Sequence, residues 1–422
     1  MDRREQAVIT SVEALSEDIF DFTARLVAEP STVGHEAGAL EVMEKELERL
    51  GLPVRRIPVD QAALSGHPGY GPMPLAPHTS HCLVSEIQPE AKTGRSALFN
   101  GHLDVVSPEP TRLWSSDPFD PLVRDGWMHG RGSGDMKSGV AAMTYAAAAI
   151  RRAGLGLAAP LTLEAVVQEE CSGNGALACR AAGVDARAVL IPEPFGPRLY
   201  TAQVGVLWFK VRVRGRPVHV LEAGAGANAL EKCFPLITSL RELEEELNQP
   251  PLPPPYEGFD HPLNLNVGIL NGGDWPSTVP ADAEFHCRLS YFPGTPFASM
   301  RERIKETVSR AAEQDPWLRE NPPQVKFYGF RSDGHVEQRD APPLAVLSRC
   351  HRELTGSEPE TYISTCTTDL RAFYSFGRAR GCCYGPVAEN IHGADERVRL
   401  DSVLHTARAY ALFAVRWCGL VE

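Results

Sequence analysis

The chain opens on an amphipathic pattern. Val8, Val12, Leu15, Ile19, Phe22 and Leu26 recur at helical spacing, which predicts one helix over 4–28, stopped by Pro30. A second helix is expected over 36–50, ended by Gly51. Residues 59–80 are rich in Pro and Gly and read as a long surface loop. Three unbroken apolar runs follow, at 96–106, 161–168 and 187–192, the pattern of strands buried on both faces. Helical runs at 137–153 and 173–183 alternate with them, which predicts an α/β fold, a sheet flanked by helices on both faces.

Near residue 204 the period changes. VGVLWFKVRVRG is an amphipathic strand; a helix (227–248), a Pro-rich loop (250–262), two strands (NLNVGIL and AEFHCRLSYF), a helix (297–314) and a strand (324–330) follow. That order is β-α-β-β-α-β, the ferredoxin-like arrangement, with an antiparallel sheet and free edges. The expected organisation is a catalytic domain in two parts, 1–203 and 335–422, interrupted by an inserted module, 204–334.

Composition narrows the function. The net charge of −12 argues against a nucleic-acid surface and a polybasic membrane patch, both of which need concentrated Lys and Arg. Lys210, Arg212, Arg214 and Arg216 come nearest to a basic cluster, but they alternate with Val211 and Val213 as the polar face of a strand. The ten cysteines are scattered with no C-x-x-C pair, so a cysteine-rich structural zinc site is not expected. The start, MDRREQAVITSVEAL, reads as a charged helix and not a signal peptide. No run approaches the ~18 apolar residues of a spanning helix. A cytoplasmic protein with free thiols is the expectation.

The chemistry-bearing residues lie at predicted strand ends, where ligands gather in open α/β sheets. His102 and Asp104 follow one buried strand, whose alternation puts them on the same side, so that the Asp104 carboxylate could accept the second ring N–H of a metal-bound His102; a satisfied strand-end histidine is the bland alternative. Gly130-Arg131-Gly132-Ser133-Gly134-Asp135 precedes a helix, but lacks the spacing of a phosphate loop or dinucleotide fingerprint. Asp135 is therefore a cation ligand or a capping residue. Glu169 and Glu170 are adjacent carboxylates, suited to one ligand and one general base, or to a solvated acidic turn. Glu193 sits between Pro192 and Pro194, and His392 lies near the C-terminus. Two imidazoles and three carboxylates, His102, Asp135, Glu170, Glu193 and His392, can hold two zinc-sized ions if one carboxylate bridges.

The motifs GHLDVV (101–106), WSSDPFDP (114–121), GRGSGDMKSG (130–139), QEE (168–170), PEP (192–194), GRPVH (215–219) and IHGADE (391–396) together resemble the acetylornithine deacetylase, succinyl-diaminopimelate desuccinylase and aminoacylase family of two-zinc amidohydrolases. The resemblance implies a zinc-peptidase-like catalytic domain with a mixed sheet, and a lid (204–334) that forms a homodimer. It implies that His102 and Glu193 hold one ion, Glu170 and His392 the other, and that Asp135 bridges, with a cis peptide after it. Asp104 would orient His102, and Glu169 would be the general base for the hydroxide between the ions. His219 would reach a partner subunit's site to hold the oxyanion. Arg288 would bind a substrate carboxylate. Ser277 and Thr278 stand where desuccinylases tend to carry asparagines. Glu193, in place of an Asp, favours the deacetylase and desuccinylase branch.

The implied activity is hydrolysis of the amide of a small N-acyl amino acid or related amine. It needs two divalent ions, zinc first, with cobalt or manganese also fitting. Dipeptidase or carboxypeptidase activity uses the same metals. Deformylation of an aminopyrimidine would need an aromatic pocket, for which Trp208, Trp275 and Tyr362 are candidates, each also readable as packing. A metal-free binding protein is disfavoured by the complete ligand set. STCTTDLRAF (364–373) resembles a substrate-side loop without assignable roles.

Overall fold

The structure, a computed structural model of the chain, describes residues 1–73, 80–89 and 93–421. Its six-stranded sheet runs Arg55–Pro58, His81–Ile87, Leu161–Val166, Ala97–His102, Ala188–Ile191, Arg380–Cys383 from edge to edge. The first two junctions are antiparallel and the last three parallel. It is the mixed sheet expected. Every residue of the three central strands is buried, so both faces are covered and the strands read as apolar runs without alternation. The alanine-rich helix Ser138–Arg152 packs on Ala97–His102 and against Leu400–Cys418, where Phe99 meets Tyr410 and Phe413.

Three local expectations need correction. The helix over 4–28 is two helices, Arg3–Glu13 and Ser16–Val27, because Leu15 leaves the helical region (φ −103°, ψ 9°) while staying buried. The strand over 96–106 stops at His102, after which Val105 N–H turns to Ser31 O (2.9 Å). The loop 59–80 contains a short helix, Gln61–Leu64, capped by the Asp60 carboxylate; residues 74–79 of that loop lie outside the described residues.

A second sheet is built from residues 205–332, ordered Leu265–Gly272, Asp282–Tyr291, Gly205–Arg214, Gln324–Ser332, antiparallel throughout. With helices Ala229–Leu247 and Phe297–Glu313 it follows the β-α-β-β-α-β order. Leu207, Phe209, Val211 and Val213 are buried in its core; Lys210 and Arg212 point the other way and pair with Glu284 (3.0 Å) and Asp282 (2.9 Å). Between the two sheets the outgoing and returning chain run side by side, Gln203 opposite His335 and Ala202 opposite Val336.

Phe99 is fully buried at the centre of the larger core. We expect Phe99→Ala to lower the unfolding free energy by about 3–5 kcal/mol, read from the shift of a urea midpoint. Trp275→Ala, at a side chain 68% exposed, should change it by less than about 0.5 kcal/mol.

Candidate metal centre and active site

The parallel strands deliver their carboxyl ends to one edge of the sheet. His102 ends Ala97–His102, Glu169 and Glu170 follow Leu161–Val166, and Glu193 follows Ala188–Ile191. Asp135 comes from the turn before helix Ser138–Arg152, and its peptide bond to Met136 is cis. His392 comes from the loop between Ala388–Glu389 and Arg397–Arg399.

These distant residues converge. His102 Nε2 lies 3.1 Å from Asp135 Oδ1, while His392 Nε2 lies 3.4 Å from Asp135 Oδ2 and 3.1 Å from Glu170 Oε1. Asp135 thus presents one oxygen to each imidazole, the arrangement a bridging carboxylate requires. Ligand atoms of His102, Asp135 and Glu170 fall within 4.8 Å of one another. Glu193 is 4% exposed, and its charge acts on both His102 and Asp135.

The electrostatics show what such a donor set attracts. Burial and the neighbouring Asp135 charge push the Glu193 carboxyl well above the usual range. The Glu170 charge, with the Asp135 hydrogen bond beside it, raises His392 to about 12 against the opposing effect of burial. His102 is raised too: against the opposing effect of burial, the Asp135 hydrogen bond and the nearby carboxylates favour its charged form. The pocket holds more negative charge than its surroundings offset. Divalent cations held by these donors would relieve that charge and displace protons from both imidazoles. Nitrogen and oxygen donors without thiolate suit a catalytic site.

Asp104 acts on His102 through a different atom from the one expected. His102 Nδ1 donates to the Asp104 backbone carbonyl (2.9 Å), while the carboxylate lies 3.9 Å away and accepts the N–H groups of Glu169 (3.2 Å) and Glu170 (3.0 Å). The strand ends at His102, so strand alternation does not govern Asp104. Its carbonyl leaves Nε2 of His102 free to face Asp135, and its carboxylate fixes the backbone of the two glutamates.

Glu169 is 6% exposed, and burial, opposed by the Arg371 charge, raises its carboxyl to about 8. Gln168, just before it, and His392 both have φ above +60° (64° and 62°), a conformation that costs side-chain-bearing residues energy and collects at functional sites.

Two further residues hold the site together. Glu396 is buried, forms a close ion pair with Arg131, and its Oε1 accepts the N–H groups of Gly132 (3.1 Å), Gly134 (2.9 Å) and Asp135 (2.9 Å). Arg131 also donates to Gly393 O (3.0 Å). The loop carrying His392 is thereby tied to the turn carrying Asp135. A Cβ on Gly134 would sit 2.7 Å from Ala388 Cβ, which explains that glycine. Both charges lie inside motifs legible in the sequence, in GRGSGD and IHGADE, and their opposite signs were the available clue.

Other candidates stand apart from the cluster within one chain. His219 is exposed on the second sheet's outer loop, its Nδ1 accepting Leu221 N–H (3.1 Å), with its backbone bridged to Thr278 and Ser277 beside it. Arg288 is closer: it donates to Thr365 O (3.4 Å), and its charge reaches Cys366, as does that of Glu193. Trp208 packs against Tyr328 and Phe330, and Tyr362 stacks on Phe195.

Residues 98–416 match peptidase family M20/M25/M40. The chain belongs to that family. Among its M20 relatives, N-formyl-4-amino-5-aminomethyl-2-methylpyrimidine deformylase of Halalkalibacterium halodurans is 27% identical over 348 residues, spanning 77% of this chain and 80% of the relative. Succinyl-diaminopimelate desuccinylase of Phenylobacterium zucineum is 25% identical over 420 residues, spanning 95% and 98%. The fold is shared with the dipeptidase Dug1p of Saccharomyces cerevisiae, at a TM-score of 0.80 and 14% identity over 100% of both chains. As an M20 enzyme the chain is a metal-dependent hydrolase of amide bonds.

Glu396→Gln removes the ion pair with Arg131 while keeping one acceptor oxygen. We expect it to weaken metal affinity by about 10–100-fold, as loss of an outer partner does, measured by competition with a chromophoric chelator. Unchanged affinity would show that the brace does not set the ligand geometry.

Proposed function

We propose that this M20 enzyme removes the acyl group from the nitrogen of a small N-acyl amino acid or a related amine. The observation that carries the reading is the placement of Glu169, a buried carboxylate, directly beside a ligand cluster shared by His102, Asp135, Glu170 and His392.

In this reading His102 and Glu193 serve one ion, Glu170 and His392 the other, and Asp135 both. Two divalent ions, zinc by ligand type with cobalt and manganese also fitting, supply polarisation of the carbonyl and an acidified water when bound. Glu169 accepts the proton of the attacking water and passes it to the leaving nitrogen as the C–N bond breaks. Arg288 is the cation for the substrate carboxylate: a guanidinium has five donors, and among the described hydrogen bonds it makes a single long one, to Thr365 O. Residues 204–334 act as a lid and dimerise. The exposed edge strand Leu265–Gly272 and the exposed side chains of Leu221, Phe234 and Trp275 support that pairing. In the dimer His219 completes the partner's site, with Ser277 and Thr278 beside it. Ten unpaired thiols suit a reducing compartment such as the cytoplasm.

A second reading, deformylation of an aminopyrimidine, is favoured by the aromatic stack of Phe195, Tyr200 and Tyr362 that begins just after Glu193. A hydrolysis screen of acetyl, succinyl, formyl and glutamyl amides and of dipeptides, with and without chelator, separates the readings. N-acyl amino acids should be turned over and chelator should abolish the activity. Turnover confined to dipeptides rejects the deacylase reading; turnover confined to a formylated aminopyrimidine installs the second. Glu169→Gln should bind metal normally and lose about 10²–10⁴-fold in kcat.

A further inference from the structure

Arg371 is the second residue of the short helix Leu370–Phe376 and is 5% exposed. Its Nη1 donates to Glu169 Oε1 (3.2 Å) and its Nη2 to the Glu169 backbone carbonyl (3.4 Å), while Nη2 also lies 3.2 Å from Asp369 Oδ1. The guanidinium rests over the Phe330 ring at 4.7 Å. Space for it depends on Gly173, where a Cβ would come within 2.1 Å of Nη2. Asp104 clamps the amides on the same backbone segment. Glu169 is therefore held at its N–H, at its carbonyl and at one carboxylate oxygen.

We propose that Arg371 is the positioning residue of the general base: it fixes Oε1 of Glu169 so that Oε2 alone faces the reacting water and the leaving nitrogen. The inference rests on the assignment of Glu169 as base. A carboxylate free to rotate presents its proton-exchanging oxygen in several directions, and small misplacements of a catalytic group cost rate steeply. A guanidinium fork that grips both carboxylate and carbonyl removes that freedom, where an ammonium offers a point charge without the fork. Arg371 makes no contact with His102, Asp135, Glu170, Glu193 or His392 among the described hydrogen bonds and ion pairs. Its loss is thus expected to spare the metal ions.

A cavity of about 220 Å3, lined in part by Gly173, Arg331, Arg371 and Phe376, opens onto the guanidinium, so a small cation can reach the space an Arg371→Ala substitution leaves. The test uses the full-length, metal-loaded protein. Methylguanidinium titrated calorimetrically should bind Arg371→Ala saturably at millimolar concentration, and should not bind wild type or the Arg371→Ala/Glu169→Ala double variant. On the fastest amide from the screen, Arg371→Ala should keep its metal content and its KM within about two-fold, and lose about 10–100-fold in kcat. Methylguanidinium should restore at least several-fold of that loss. Arg371→Lys, which keeps charge and bulk, should fold and still show reduced kcat at unchanged metal content. Wild-type kcat in Arg371→Lys and Arg371→Ala, or loss of metal together with activity and no rescue, overturns the proposal. Full kcat in Glu169→Gln overturns the base assignment and this inference with it; a dead Glu169→Gln beside fully active Arg371 variants overturns this inference alone.

Discussion

Five carboxylates, those of Asp104, Asp135, Glu169, Glu170 and Glu193, share one largely buried edge of the sheet. Like charges this close are unfavourable unless cations or donors offset them. Four of them are offset by a specific partner. Asp104 receives two backbone amides, Glu169 receives Arg371, and Asp135 and Glu170 receive imidazoles. Glu193 has the least compensation, and burial raises its carboxyl accordingly. The residual charge is what divalent cations would neutralise, so the same crowding that costs stability in the bare chain provides affinity for metal.

That crowding has to be held open mechanically, and the sheet alone cannot do it. Four of the carboxylates and His102 sit at or just beyond strand ends, where hydrogen-bonded neighbours fix the backbone. Asp135 and His392 do not. They ride on a turn and a loop carried by the small sheet in which Arg397 lies opposite His129. Glu396 converts that adjacency into registration, because one carboxylate caps the Gly132–Asp135 amides while its ion pair with Arg131 reaches back to Gly393. Removing either partner of a buried pair leaves an uncompensated charge, so the brace is costly to lose.

The sequence was legible where the physics is local. Buried strands show as apolar runs, and the alternation of Leu207, Phe209, Val211 and Val213 with Trp208, Lys210, Arg212 and Arg214 declares a half-buried strand. The ligand candidates could be named because strand ends and glycine turns have local signatures. Partnerships between polar residues far apart in the chain leave no period to read. Glu396 with Arg131 and Arg371 with Glu169 are pairs of that kind, separated by 265 and 202 residues. The break at Leu15 is illegible for a related reason: its apolar spacing is the same whether the helix bends there or runs on. Asp104 shows a third limit, since residue type suggested the carboxylate and the chain used the carbonyl.

The second sheet shares no strand with the first, yet it contributes at the site's margin. Arg288, on its central strand Asp282–Tyr291, pairs across to Trp208 and reaches Thr365 in the loop beside Glu193. Phe330, on its edge strand, lies under the Arg371 guanidinium. The orientation of these two contacts depends on the crossings between the sheets, where Gln203 and His335 are paired and a Cβ on Gly334 would meet Gln203 O at 2.7 Å. Pairing the two crossings leaves the chain fewer independent ways to tilt one sheet against the other than two separate linkers would. Arg288 and Phe330 are thereby both carried on a sheet whose tilt one short stretch of paired backbone restrains.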